Sequence, residues 1–388
     1  MGLSAVRGQE QAVGILKRCV AEGRIAHAYL FHGPDGVGKE LAAANFAKLL
    51  ACRSPKGGDA CDFCAECLAV EKNIHPDILW LRPSGKRRII PIGDVDNPEE
   101  GSVRYFQRRV ALKPFQARWK IGIFVDADSM EGPAENALLK TLEEPPARTV
   151  IVLLSARPES LLPTTLSRCQ AVRFGPMREA ELEKLLREEH RMPAADAKAL
   201  SRMTEGRYGE AVTALREDRL AEARLLSMRL SAGETGYWRA VAGPLDIFDR
   251  SLARACKALE IELARRGLAD PAGAERGATP AGAAGGQGRE REASAFVEGE
   301  RRRRQMEMLR QVLAWHRDLL VWKLTREERL IMGAGAAAEI ERAARGMSGA
   351  RMEKCVRHVE DALKALSMNA DFHIVMENLL VQLTAPEG

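Results

Sequence analysis

The chain has 388 residues, with 59 basic and 54 acidic side chains and a formal charge of +5, too even a balance to mark a nucleic-acid binder by charge alone. A hydrophobic share of 46% supports a buried core and excludes disorder throughout. At about 150 residues per domain the length predicts two or three domains, and no apolar run nears the ~20 residues that cross a bilayer. The N-terminus, Met1–Arg7, lacks a basic head followed by an apolar segment and lacks Ser or Thr at position 6. The expectation is a soluble, cytoplasmic protein without signal peptide, myristoyl group or membrane association.

Short apolar runs alternate with helical stretches from residue 28 to 174. Ala28–Phe31, Asp77–Leu81, Ile121–Val125, Val150–Leu154 and Ala171–Phe174 are the predicted strands, separated by Gly- and Pro-rich breaks. That pattern predicts an α/β domain, a parallel sheet with crossover helices, over residues 1–175. Strands stop at Gly175. Helices over Glu179–Glu189 and Ala194–Thr204 predict a small helical lid domain at 176–220. Residues 221–388 read as a helical domain, with Met308, Leu309, Val312, Leu313, Leu319 and Leu320 at helical spacing. Val356, Val359, Leu363 and Leu366 follow, then, after a break at Asn369, Ile374, Leu379, Leu380 and Leu383. Within this domain no large apolar side chain falls between Leu268 and Phe296, and the segment reads as a flexible insertion. Arg301–Arg304 reads as a solvated helix start, and Trp315 and Trp322, seven apart, share one helical face that packs inward.

The strongest local signal is Gly33-Pro34-Asp35-Gly36-Val37-Gly38-Lys39, placed between a strand and a helix over Gly38–Leu50. In such a loop the glycines Gly33, Gly36 and Gly38 let backbone N–H groups converge on phosphate oxygens, and Lys39 reaches the terminal phosphates. The next residue, where a Ser or Thr hydroxyl binds Mg²⁺, is Glu40. Asp126 ends a predicted strand and is placed to hold Mg²⁺, but Ala127 follows where an acid that polarises water is needed. A competing reading has Asp126 and Asp128 only cap the next turn. The site is therefore a degenerate one, with ATP and Mg²⁺ doubtful. Cys52, Cys61, Cys64 and Cys67 follow the spacing C-x8-C-x2-C-x2-C. Four thiolates fill a tetrahedral zinc shell and leave no position for water or substrate, so the metal is structural. Other thiophilic metals fit the same ligands.

Taken in order, Gly23–Phe31, the phosphate loop, the four cysteines, His75-Pro76-Asp77, Asn136–Pro146 and Leu162–Cys169 resemble the bacterial DNA polymerase III clamp-loader family within the AAA+ ATPases. The likeness is close over residues 8–175, weaker to about 217 and only architectural beyond. It implies that Ser167-Arg168-Cys169 delivers an arginine finger, Arg168, in trans to ATP on a neighbouring subunit, with Ser167 and Cys169 shaping the turn. Such a finger typically contributes about 10³–10⁵ in rate. It also implies that Ser155 sits at a first sensor position. In Glu205–Ala211 the family's nucleotide-sensing arginine falls on Gly209, or on Arg207 if the register slips. Losses at Glu40, Ala127 and Gly209 beside an intact Arg168 match the non-hydrolysing delta-prime pattern. The implied partners are gamma/tau ATPase subunits, the delta subunit, the beta sliding clamp and primer-template DNA, in a hetero-pentameric ring closed by a C-terminal helical collar. Two alternatives stand beside it: a gamma/tau-like ATPase motor in which Glu40 ligates Mg²⁺, and a zinc-stabilised scaffold without a role in hydrolysis.

Overall fold

A computed structural model describes residues 2–83, 89–216, 283–331, 337–368 and 370–384, with isolated positions between 249 and 257. The five apolar runs form strands β1 (Ala28–His32), β2 (Ile78–Leu81), β3 (Lys120–Phe124), β4 (Thr149–Ser155) and β5 (Gln170–Arg173). They make one sheet in the order β2-β3-β4-β1-β5, and every pairing is parallel. Every residue of β3 and β4 is buried, which is why these strands are apolar runs and not alternating patterns. At the sheet edge β5 buries only Val172.

Alternation along β1 divides the core between two layers. Tyr29 and Phe31 pack with α1 (Glu10–Ala21) and α2 (Lys39–Ala51) on one face, through Leu16, Phe46 and Leu50. Ala28 and Leu30 face the other layer with α4 (Val103–Ala111) and α5 (Gly132–Glu143), through Phe106, Leu138 and Leu142. Gly122 in β3 makes room for the Phe106 ring, since a Cβ there would lie 2.1 Å from it. A short α3 (Ala65–Glu71) lies between α2 and β2, and a one-turn α6 (Pro163–Leu166) precedes β5.

Helices α7 (Glu179–His190), α8 (Ala194–Met203) and α9 (Tyr208–Arg216) follow the last strand. After them come α10 (Ala283–Thr325), α11 (Ala337–Arg345), α12 (Gly349–Ser367) and α13 (Phe372–Thr384). The described residues group into two compact units: Met1–Met177 with Arg207–Glu210, and Arg178–Gly206 with Ala211–Gly388. In the second unit Leu309 and Val312 of α10 pack with Val359 and Leu366 of α12 and with Met376, Leu379, Leu380 and Leu383 of α13. Trp315 and Leu319 form a neighbouring cluster with Ile340 and Met352, and Trp322 packs against it, as their spacing predicts.

Three expectations for this region need correction. Residues 283–296 of the expected flexible insertion are helical, the first turns of α10, while 268–282 lie outside the described residues. Arg289, Glu290, Arg291, Glu292 and Ala293 are strong helix formers, and a helix nucleated by its packed end propagates through them. For the same reason Arg301–Arg304 lies inside α10 and not at its start. Arg304 is buried and Arg302 donates to the Leu366 carbonyl. Ile374, assigned to the apolar stripe, is 69% exposed. The break expected at Asn369 falls outside the described residues, between the ends of α12 and α13.

Candidate functional site

The phosphate loop leaves β1 and enters α2, and its backbone requires its glycines. Gly33 (φ +145°) carries no Cβ because one would lie 1.9 Å from the Phe174 carbonyl oxygen, and Gly38 (φ +96°) is the left-handed N-cap of α2. Lys39 is buried, and its Nζ donates to the carbonyls of Gly33 at 2.5 Å and Pro34 at 2.9 Å. A clasp that the motifs did not reveal holds the loop down. The buried Gln9 donates from Nε2 to the carbonyls of Val37 (3.1 Å) and Gly175 (2.7 Å), and its Oε1 accepts from Gly175 N–H at 3.2 Å. Loop, α1 and the exit of β5 are thereby fastened together.

Glu40, one residue past the lysine, has its carboxylate against Arg82 at 2.6 Å, and that guanidinium lies 4.9 Å over the Trp80 ring. The charge beside the phosphate loop is thus balanced within the chain. Asp126 follows β3 in a left-handed conformation (φ +49°), and its carbonyl accepts from Ser129 N–H at 2.8 Å. Ala127 is fully buried. Asp128 accepts from Ala156 N–H at 3.3 Å and pairs with Arg157 at 3.2 Å, so its carboxylate ties the exit of β3 to that of β4. Ser155 is buried at the end of β4; its carbonyl accepts from Gly33 N–H at 3.2 Å. His32, at the end of β1, has its pKa lowered by burial and by the nearby Arg173 and Lys39 cations.

The start of α9 meets the loop directly. Gly209 N–H donates to the Gly36 carbonyl at 2.9 Å, and a Cβ on Gly209 would come within 2.8 Å of that oxygen. Arg207 lies on the same approach, its Cβ 3.6 Å from the place of a Cβ on Gly36. Gly209→Ala is expected to cost about 1–3 kcal/mol of stability, because the contacting atom is backbone and cannot turn aside. Urea unfolding of the full chain measures this, and a variant as stable as wild type would show that the contact yields freely.

Cys52, Cys61, Cys64 and Cys67 bring their sulfurs within 4.8 Å of one another. A zinc ion about 2.3 Å from each of four thiolates sets them about 3.8 Å apart, and Cys61 and Cys67 already stand at 3.9 Å. Backbone N–H groups of Cys61, Cys64 and Cys67 point at the sulfurs of Cys52, Cys61 and Cys64 at 3.3–3.5 Å, as a thiolate centre requires. Burial pushes the Cys52 and Cys67 thiols up. For Cys61 burial acts in the same sense, but N–H groups of Phe63 and Cys64, together with hydrogen bonds to the Cys52 and Cys64 side chains, bring the thiol down to about 6. These residues fit a metal. Around them Asp59 accepts from Leu3 and Ser4 and pairs with Lys17 at 3.0 Å, Lys48 pairs with Asp62 at 2.5 Å, and Arg53 pairs with Glu66.

Ser167, Arg168 and Cys169 follow α6. The Arg168 side chain is about one-third exposed; its guanidinium donates to Glu143 of α5 at 2.6 Å and to the Thr164 carbonyl at 2.9 Å. Ser167 Oγ donates to the same carbonyl at 3.1 Å, closing the turn. Cys169 packs against the core layer of α4 and α5, and burial pushes its thiol up to about 12, so it packs as an inert apolar group. Four places therefore hold the expected site residues: the loop, the exit of β3 with Asp126, the thiol cluster and this turn. Gln9, Arg82 and Glu143 complete them; no motif had signalled Gln9 or Arg82, and Glu143 lies within the Asn136–Pro146 motif without having been given a role.

A parallel sheet with a phosphate loop after β1, an aspartate after β3 and an arginine turn before β5 defines an AAA+ α/β domain, followed by helical regions. The family described as "DNA polymerase III, delta subunit" matches residues 8–178. The DNA polymerase III subunit delta' of Pseudomonas aeruginosa is 34% identical over 238 residues, 58% of this chain and 69% of that protein. That of Bacillus subtilis is 32% identical over 222 residues, 57% of this chain and 64% of the relative. The subunit tau of Bacillus subtilis is 32% identical over 169 residues, but only 28% of its length is spanned. The chain belongs to the DNA polymerase III delta-prime subunit family. No helix among the described residues is long and apolar enough to cross a membrane.

Proposed function

We propose that the chain is a non-hydrolysing clamp-loader subunit of the delta-prime type, which supplies Arg168 in trans to ATP held by a neighbouring gamma/tau subunit. With those subunits, the delta subunit and the beta sliding clamp it acts on primer-template DNA in the cytoplasm during replication. Residues 1–175 serve as the AAA+ domain, 176–220 as the lid and 221–388 as the collar that joins a hetero-pentameric ring. Cys52, Cys61, Cys64 and Cys67 hold a structural zinc.

One observation carries this reading. At the phosphate loop, the place of the Mg²⁺-binding hydroxyl is taken by a Glu40 carboxylate locked to Arg82, and a buried methyl, Ala127, stands where water needs a base. Gly33, Gly36, Gly38, Lys39 and Asp126 keep the outline of a nucleotide site, but its two chemical steps are unprovided for. Arg168, by contrast, keeps its guanidinium partly in solvent at a turn fixed on both sides.

The test is ATP turnover, measured for this chain alone, for the assembled loader, and for the loader carrying Arg168→Ala. The chain alone is expected to be inactive. The variant is expected to slow clamp loading by about 10-fold or more, given what one such guanidinium contributes elsewhere. Turnover by the isolated chain that Lys39→Ala abolishes would make it a motor. Normal loading by the Arg168 variant would make it a scaffold.

A further inference from the structure

Helix α5 carries two carboxylates on the side that faces the arginine turn. Glu135 is buried and accepts from the Leu162 backbone N–H at 2.7 Å; Glu143, about two turns further on, accepts from Arg168 Nη2 at 2.6 Å. The segment Leu162–Cys169 is thus pinned at both ends to one rigid rod. That rod is itself fixed, since Ala134, Leu138 and Leu142 of α5 are buried in the core layer that α4 and α5 form against the sheet. Between the pins, Thr165 is fully buried and Leu166 packs against the same layer.

The guanidinium is held on two sides. Nη1 donates to the Thr164 carbonyl at 2.9 Å and reaches Ser167 Oγ at 3.5 Å, while Nη2 meets Glu143. A guanidinium has five N–H groups, and these contacts engage at most three, which leaves a pair for a phosphate. An unrestrained arginine at an exposed turn samples many rotamers and loses that freedom on meeting a phosphate; one clamped in advance loses little.

We propose that Glu143 is a positioning residue that aims Arg168 at the phosphates of the neighbouring subunit. The proposal rests on the trans-acting reading of Arg168 given above. Because the pair is partly exposed, its charge attraction is screened and its value lies in geometry. A side chain that keeps the acceptor oxygen without the charge therefore suffices.

The experiment is steady-state ATP turnover by the assembled loader with clamp and primed DNA present. The subunit is supplied as wild type, Glu143→Ala, Glu143→Gln, Arg168→Ala or the Glu143→Ala/Arg168→Ala double variant. Glu143→Ala is expected to lower kcat about 5-fold with KM for ATP unchanged, as a misaimed group does. Glu143→Gln should restore most of the rate, and the double variant should be no slower than Arg168→Ala alone. Wild-type or faster turnover by Glu143→Ala, beside an impaired Arg168→Ala, would overturn the positioning role and leave the finger standing. A further loss in the double variant would overturn it too, because Glu143 would then act by another route. Wild-type turnover by Arg168→Ala would instead overturn the trans-acting reading itself. Matching melting temperatures establish that the variants are folded.

Discussion

Cys67→Ser is expected to abolish zinc binding by the thiol cluster and to release the segment from Arg53 to Leu68. The module has almost no core of its own, since its buried members are Cys52, Ala60 and Cys67, with Cys61 and Cys64 packed beside them. Burial on that scale does not offset the ordering of sixteen residues, each costing about 1–2 kcal/mol of backbone entropy. Metal binding and folding of such a module are then one event. Zinc content per purified chain, and competition against a colorimetric chelator, should show loss of stoichiometric binding. Amide exchange should rise through the module and at Leu3 and Ser4, whose N–H groups rest on Asp59 of the same segment. The sheet should stay protected. Undiminished zinc retention by Cys67→Ser would remove Cys67 from the ligand set, and unchanged exchange would show that the segment stands without metal.

Asp77→Ala is expected to destabilise the first unit by about 3–5 kcal/mol, the scale for breaking a buried ion pair by removing one partner. Asp77 is fully buried, and its carboxylate accepts from the N–H groups of Phe115 (2.7 Å), Gln116 (2.7 Å) and Ala117 (2.9 Å). Lys120, also buried, stands 3.8 Å away. Truncation orphans three donors and leaves that ammonium without its counter-charge. Burial acts to raise the Asp77 pKa, yet the three N–H groups and Lys120 hold it below the ordinary carboxylate value. Its contribution is therefore complete above about pH 4 and is lost as pH falls through the depressed value, so the variant and wild type should converge in acid. Urea midpoints at pH 7 and pH 3 measure both effects. A gap that is as wide at pH 3 as at pH 7 would mean that packing, not the carboxylate, is what Asp77 supplies.

The physics of each signal explains how much of this was legible in the residues. Strands β1, β3 and β4 declare themselves because both faces are buried, so each is a continuous apolar run. The cysteine cluster declares itself because its ligands are local and their spacing is the geometry. Contacts between distant segments leave no such trace. Glu40 and Arg82 are 42 residues apart, and Glu143 and Arg168 are 25 apart, so neither pair forms a pattern. Gln9 reaches Gly175 across 166 residues. The first turns of α10 are illegible for a different reason: they carry no apolar stripe in the sequence, and the helix there continues from turns anchored at Leu309 and Val312.

The approach of α9 to the phosphate loop makes position 209 a steric coupling point. Any side chain there would place a Cβ 2.8 Å from the Gly36 carbonyl oxygen, at a contact already sealed by the Gly209 N–H. A larger residue at 209 is therefore accommodated only if the loop or the start of the helix shifts, so a change in either segment is felt by the other through one backbone contact.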